Sequence, residues 1–468
     1  MFFREKLPFI EEFITELDQN LRAHSPKKKG LTHKQKRFLS FCLMGILVTN
    51  SVCWARFERA SLGDYAVGAL SWMFRHAPIP WNLLLHMGIR IILRKYNIKN
   101  GVLVTDDTDH KRSKVTSRIH RAYKVFDKKT NGYFNGQTIV FLILVSESIT
   151  IPVGFAFYSP DPAWKAWKKE DKRLIALGVA KKCRPPEPTR PPEHPTKEQI
   201  AINLMEDFAH YHSEFKVKSV NGDNHYSTSY FMNKAEELFD CQTLGSMKAN
   251  QNVCFRGKTM AVRDYFKINL PIKRKLKIRG GEEEEVFVAS ARLDVPSHGK
   301  KRFVIALRYT DQDEFTYVCA SNLTWRTIDI LEAWTLRWLV EVFIEDFKVY
   351  EGWGQLAKQQ GVEGSSRSLV LSLLCDLALF LHPSQEASIE NKRPAFTVGS
   401  LLRKVRTQAL LLFLKTLIVC EEGQQKLELL AQKIEEVFEL KPSTKHMSGR
   451  KLGRMEPSPS LKRWAAIP

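Results

Sequence analysis

Between residues 101 and 158 the chain places three short apolar, β-branched runs, GVLVTDD, QTIVFLILV and ITIPVGFAFY, and these constrain the fold more than any other feature. Runs of this length and composition form strands. The last two are separated only by SES and therefore pair as an antiparallel hairpin. Further on, Thr196 and Gln199 form a capping box that opens a helix at IAINLMEDFAHYH. FKVKSV then reads as a strand running into Asn221-Gly222-Asp223, followed by a helix at YSTSYFMNKAEELF and a strand near CQTLGS. Strands interleaved with helices predict an α/β core, a mixed sheet flanked by helices.

Around that core the character of the chain changes. Residues 1–95 are expected to be all-helical, including one long stretch from 34 to 59, with basic patches SPKKKG and THKQKR suited to an N-terminal DNA-contacting domain. The core is expected in two parts, 96–250 and 325–385, interrupted by a β-rich insertion at 251–324. In the insertion FRGKTMAVRDYFKI, RKLKIRG, EEEEVFVASARLDV, KKRFVIALRYT and EFTYVCAS all read as strands. Within the first part, the basic run KAWKKEDKRLIALGVAKK and the proline-rich CRPPEPTRPPEHP form a surface excursion, its proline-rich half extended. A helical C-terminal region, 386–440, is the expected dimer contact, and 441–468 a basic disordered tail.

Charge narrows the class of partner. Lys plus Arg number 72 against 51 Asp plus Glu, a formal charge of +21. So basic a protein meets polyanions readily, nucleic acid first. The eight cysteines show no CxxC spacing, which argues against a zinc module or a disulfide framework and fits a reducing, bacterial cytoplasm. The start, MFFREKLPFIEEF, has acids where a secretion signal would be apolar. FLSFCLMGILVTNSVCW, residues 38–54, is interrupted by Ser, Thr and Asn and falls short of the roughly 20 apolar residues a membrane span needs, so it is expected as a buried helix.

The most informative helix is WTLRWLVEVFIEDFKVYEG, residues 334–352. Helical geometry gathers Leu336, Leu339, Val340, Phe343 and Phe347 on one side and Trp334, Arg337, Glu341, Glu345 and Lys348 on the other. A solvated stripe with Arg337–Glu341 and Glu345–Lys348 pairs accounts for part of this. Glu341 and Glu345, like charges four apart, are unfavourable unless a cation is near.

Two strand exits supply further acids: Asp106, Asp107 and Asp109 after the first run, and Asp223 after Gly222. Each alone is an ordinary turn or cap aspartate. Together with a helix glutamate they could bring three carboxylates to one sheet edge, where hard oxygen ligands suit Mg²⁺ or Mn²⁺. Three like charges raise one another's pKa unless divalent ions neutralise them. Two ions about 3.5 to 4 Å apart would activate a water or hydroxyl and stabilise the leaving oxygen of a phosphoryl displacement.

These residues resemble the DDE transposases of the insertion-sequence-four family, which have a ribonuclease-H-like core. The likeness lies in Asp106-Asp107-Thr108 after the first strand, Asp223 after a later strand, and a helix signature of Tyr, two residues, Arg, three, Glu, six, Lys, met here by Trp334, Arg337, Glu341 and Lys348 with Trp in place of Tyr. A β-rich insertion before that helix is also similar. The resemblance implies Asp107, Asp223 and Glu341 as catalytic metal ligands for Mg²⁺ or Mn²⁺, in two ions, with Arg337 and Lys348 on DNA phosphates. Strand alternation does not choose between Asp106 and Asp107. Trp334 would keep an aromatic face towards DNA without the phenolic hydroxyl. The basic run HKRSK offers Lys111, Arg112 and Lys114 to phosphates, and Tyr317 matches the position of an aromatic that stacks on a flipped base. The implied protein is a DNA-associated, cytoplasmic transposase without membrane contact. It would bind its element's terminal inverted repeats on double-stranded DNA as a homodimer, leave a 3′-hydroxyl, and use it to attack target DNA. A nuclease or resolvase of the same fold, or a non-catalytic basic DNA-binding protein, are the alternatives.

Overall fold

In the computed structural model, which describes residues 6–25, 27–61, 64–112, 118–127, 130–353 and 359–419 with 423–425, 427, 428 and 431, the apolar runs become strands where expected. They are β1 (Asn100–Lys111), β2 (Tyr123–Asp127), β3 (Gly132–Val145), β4 (Thr150–Tyr158), β5 (Lys216–Gly222) and β6 (Gln242–Met247). β3 and β4 form the hairpin, its turn closed by the Ser146 amide donating to the Ile149 carbonyl at 2.9 Å. β1 pairs antiparallel with β3 and parallel with β5, which pairs parallel with β6. The order β4-β3-β1-β5-β6, with only β3 running against the rest, is that of a ribonuclease-H-like sheet.

The insertion supplies β7 (Asn252–Phe255), β8 (Lys258–Ala261), β9 (Ile272–Lys277), β10 (Glu283–Val295), β11 (Lys300–Arg308) and β12 (Thr316–Ala320). It prolongs the core sheet: β12 pairs antiparallel with β6, from Tyr317 opposite Met247 to Ala320 opposite Leu244. One expectation is corrected within it. The second half of FRGKTMAVRDYFKI is a helix, Val262–Ile268, because Val262, Tyr265 and Phe266 sit at helical spacing and bury one face.

The helices before the sheet are α1 (Pro8–His24), α2 (His33–Thr49), α3 (Trp54–Ala60), α4 (Val67–His76) and α5 (Trp81–Lys95). Those within and after it are α6 (Pro162–Ala176), α7 (Lys197–Tyr211), α8 (Ser229–Phe239), α9 (Val262–Ile268), α10 (Thr327–Thr335), α11 (Trp338–Tyr350), α12 (Gly361–Leu379), α13 (Pro383–Glu390) and α14 (Val398–Val419). The stretch 34–59 is not one helix. It breaks at Asn50, whose backbone is left-handed at φ 48° and whose side chain donates to the Val349 carbonyl and accepts from the Gly352 amide, at 2.6 and 2.8 Å. Gly352, at φ +78°, ends α11 as a helix stop.

From Ser368 to Leu379 α12 is buried on all sides, between α1, α2 and α5 and the C-terminal α14. The two helical ends of the chain therefore share one core with the sheet. Phe38 to Leu47 are buried in it. No single helix among the described residues is long and apolar enough to cross a membrane. Lys114, Gly354 and the tail 441–468 lie outside the described residues.

Candidate active site

Successive residues of a strand point to opposite faces, so Asp106 and Asp107 cannot share one. Asp106 stands opposite Phe141 of β3, and the Phe141 ring packs against Phe343 and Phe347 of α11 at 5.4 and 5.1 Å. Asp106 thus faces α11. Asp107 looks the other way, its carboxylate accepting from the Lys197 ammonium and from the Tyr226 hydroxyl, the latter at 3.3 Å.

On the α11 side, Arg337 joins two acids. One guanidinium nitrogen lies 3.8 Å from Asp106 Oδ2 and the other donates to Glu341 Oε1 at 3.0 Å. Asp106 Oδ1 accepts the Asp107 amide at 2.7 Å. Burial, to which the charges of Asp223 and Asp107 add, pushes the Asp106 carboxyl up to about 7, against the pull of that amide and of Arg337. Asp106, Thr108, Glu341, Glu345 and Lys348 line one solvent-open depression, with the edge of Asp107.

Asp223 arrives at the end of β5, its Oδ1 accepting the His225 amide at 2.8 Å. Gly222 is extended rather than left-handed, and its need for glycine comes from contact. A Cβ there would stand 2.4 Å from Tyr226 Cβ, so glycine lets Tyr226 fold back beneath the strand to reach Asp107.

Among the described residues no three His, Cys, Asp or Glu side chains already stand close enough to hold an ion. The chemistry of the donors nevertheless fits a hard divalent cation: all are carboxylate oxygens, and Asp106 is raised by burial and, less, by the like charges of Asp223 and Asp107, which such a cation would offset. Arg337 lies between Asp106 and Glu341.

Several expected contacts are placed differently. The helix expected at 334–352 is two helices. Between them the amides of Arg337 and Val340 bond to carbonyls three residues back, Trp334 and Arg337, at 3.0 and 3.1 Å. That tighter turn takes Trp334 off the polar stripe and into the insertion's core, 7% exposed, with the Arg337 guanidinium 5.5 Å over its ring. Trp334 braces Arg337 and presents no face to DNA. Tyr317 is also buried, its ring between Phe266 and Phe315 at centroid distances of 6.0 and 6.4 Å, and so is not free to stack on a base. Arg112 is buried too, donating to Gln137 at 2.6 Å and lying 4.2 Å over the Trp353 ring. Lys111 is exposed, its ammonium 5.3 Å from the Phe134 ring, and remains available to a phosphate.

Lys197 and Tyr226 were not singled out in the sequence. Lys197 reaches Asp107 across 90 positions, which no local pattern announces. Tyr226 follows Asp223 by three residues and could have been noticed there.

The fold and the acids together define a ribonuclease-H-like α/β protein with a carboxylate-rich edge. No family model and no curated protein matches the chain. Among solved structures it is similar to a piggyBac transposase in a synaptic complex with hairpin DNA, at 10% identity and a TM-score of 0.43, over 94% of this chain and 84% of that one. It is also similar to the NurA nuclease from Sulfolobus solfataricus, at 6% identity and a TM-score of 0.25, over 50% and 72%. Likenesses this loose carry no weight for the chemistry, which rests on the chain's own strand order and side chains.

Proposed function

We propose that the chain is a DNA transposase of an insertion sequence, cutting at the element's terminal inverted repeats and joining the 3′-hydroxyl to target DNA as a homodimer on double-stranded DNA in the bacterial cytoplasm. The observation that supports this is the approach of acids from three remote parts of the sequence to one end of the sheet. Asp106 and Glu341 share one guanidinium, and burial, with the charge of Asp223 adding to it, lifts Asp106 to about 7.

Asp106, Asp223 and Glu341 are the residues that would hold Mg²⁺ or Mn²⁺, with Asp106 taking the place that the family resemblance gives to Asp107. Bound there, the ions would supply a nucleophilic water or hydroxyl and charge for the leaving oxygen. The protein's own groups do the rest. Arg337, held over Trp334, is a cation that can turn from Asp106 to a DNA phosphate. Lys348, beside Glu341 in the depression, is placed for the adjoining phosphate. Lys197 and Tyr226 fix Asp107 on the opposite face and tie the Asp223 turn to β1. Cleavage and joining are both phosphodiester displacements, so one set of acids serves both.

The test is incubation of the full chain with a duplex carrying its flanking genomic sequences, with and without Mg²⁺. Mg²⁺-dependent ends bearing a 3′-hydroxyl, together with joined products, are expected. Cuts without joined products would favour the nuclease, and no cutting at all the non-catalytic DNA binder.

A further inference from the structure

The excursion between β4 and α7 buries nothing in the core: none of residues 162–199 is buried, and α6 stands wholly at the surface. Such a helix needs another reason to be ordered, and its inner side supplies one. The Trp167 indole donates to the Pro185 carbonyl at 2.9 Å, Arg184 pairs with Asp171 at 2.6 Å, and the Arg190 guanidinium lies 4.3 Å over Trp164. The proline-rich return thus staples α6 from one side only. The adjoining face carries Lys165, Lys168, Lys169 and Lys172, spaced i, i+3, i+4 and i+7, with the Lys168 ammonium 4.3 Å over the Trp164 ring at its border with the staple.

All four lysines are exposed, and among the described residues none has a carboxylate within 4 Å. The helix's own acids are engaged elsewhere, Glu170 with Arg173 and Asp171 with Arg184. Four like charges crowded on two turns are unfavourable alone, and the helix tolerates them without a compensating anion of its own.

Its location gives the uncompensated face a use. The Lys165 ammonium lies 5.4 Å from the Tyr123 ring, the Tyr123 hydroxyl bonds to Thr138, and Thr138 donates to Asp109 of β1. At its other end the excursion closes at Lys197, which pairs with Asp107. The lysine face therefore flanks the acid-bearing end of β1 from the side of Asp107 and Asp109, across the strand from Asp106.

We propose that the lysine face of α6 is a binding site for the phosphate backbone of double-stranded DNA, a clamp that holds the duplex beside the acidic edge of β1. The proposal rests on the transposase reading for its partner and adds where the duplex lies. Seven residues of helix span about 10 Å. Over that length duplex DNA presents about six phosphate charges, at one per roughly 1.7 Å, so four lysines meet no shortage of partners.

The experiment is fluorescence anisotropy of a labelled 30-base-pair duplex with the full chain across a KCl series. It compares wild type, the quadruple Lys165→Ala, Lys168→Ala, Lys169→Ala, Lys172→Ala variant, and the same four changed to Arg. Since α6 buries nothing, the variants should keep the wild-type circular dichroism spectrum. Each phosphate contact contributes about 0.9 to the slope of log affinity against log salt, so the alanine variant should lose roughly 2 to 4 from the slope and bind about tenfold or more weakly at low salt, while the arginine variant stays at wild type. An alanine variant with the wild-type slope overturns the clamp and leaves the transposase reading standing. A wild type that ignores duplex DNA removes both, and lysine-dependent binding only to vesicles of phosphatidylserine would assign the face to a membrane and overturn the proposal.

Discussion

Asp106 and the pair Glu351 and Asp376 all have carboxyls pushed upward by burial, and the two settings differ in everything else. Asp106 sits at the rim of an open depression, with Arg337 beside it and its Oδ1 accepting an amide. Glu351 and Asp376 are buried side by side between the end of α11 and α12, with both Glu351 oxygens and Asp376 Oδ2 lacking any hydrogen-bond partner. Burial pushes Glu351 well up and Asp376 to about 7. A raised carboxyl therefore does not by itself mark a site. Accessibility and a neighbouring cation set the proposed site acid apart from the structural pair. Burial favours the protonated, neutral form of both carboxyls, and the end of the Glu341 helix is tied to α12 by the Ser372 hydroxyl, which donates to the Glu351 carbonyl at 2.6 Å.

Substitution should break the symmetry between the groups most strongly in catalysis. Asp106→Asn should lower single-turnover DNA cleavage well beyond the roughly 100-fold that loss of an outer-sphere metal partner costs. Asp107→Asn should cost less than about tenfold, and Asp376→Asn should leave the rate of cleavage near wild type. A Asp107→Asn loss as large as that of Asp106→Asn would return the first ligand to Asp107.

The next effect is on packing. Trp334→Ala removes a buried indole and should cost about 3 to 5 kcal/mol in urea unfolding, whereas a Trp334 that faced DNA would affect binding and hardly stability. Both acid groups then predict the same pH dependence. Their folded carboxyls lie above the ordinary value, so the stability conferred by Asp106 and Asp376 is complete below about pH 4, falls as pH rises, and is gone above about 7. Melting temperature should therefore fall as pH is raised from about 4 to about 7. Mg²⁺ should restore the Asp106 share and leave the share of the sealed pair untouched, and Asp376→Asn should remove only the latter. The smallest change is Tyr226→Phe, which deletes one hydroxyl bond to Asp107 and should cost about 1 kcal/mol in the same unfolding measurement.

The sheet was legible because its signal is local. QTIVFLILV and ITIPVGFAFY name their strands by composition and their pairing by the short turn between them. The apolar face of Val340, Phe343 and Phe347 was legible for the same reason, and so was the Arg337–Glu341 pair four residues apart. Trp334 was not, because a turn of tighter hydrogen bonds between α10 and α11 rotates it by an amount no periodicity encodes. Arg112 and Tyr317 failed differently. Both are polar or amphipathic groups whose burial depends on distant partners, Trp353 for one and Phe266 for the other. Preferring Asp106 to Asp107 needs the sheet's facing, which the contact of Phe141 with α11 and the Arg337–Asp106 approach supply.

The most direct test of the acidic edge is Mn²⁺ binding, followed by electron paramagnetic resonance on the full chain with duplex DNA at pH 7.5. Wild type and Asp107→Asn should take up the ion, and Asp106→Asn should not. Uptake by Asp106→Asn equal to wild type, or none by wild type itself, would contradict the assignment of Asp106, Asp223 and Glu341 as the metal-holding acids.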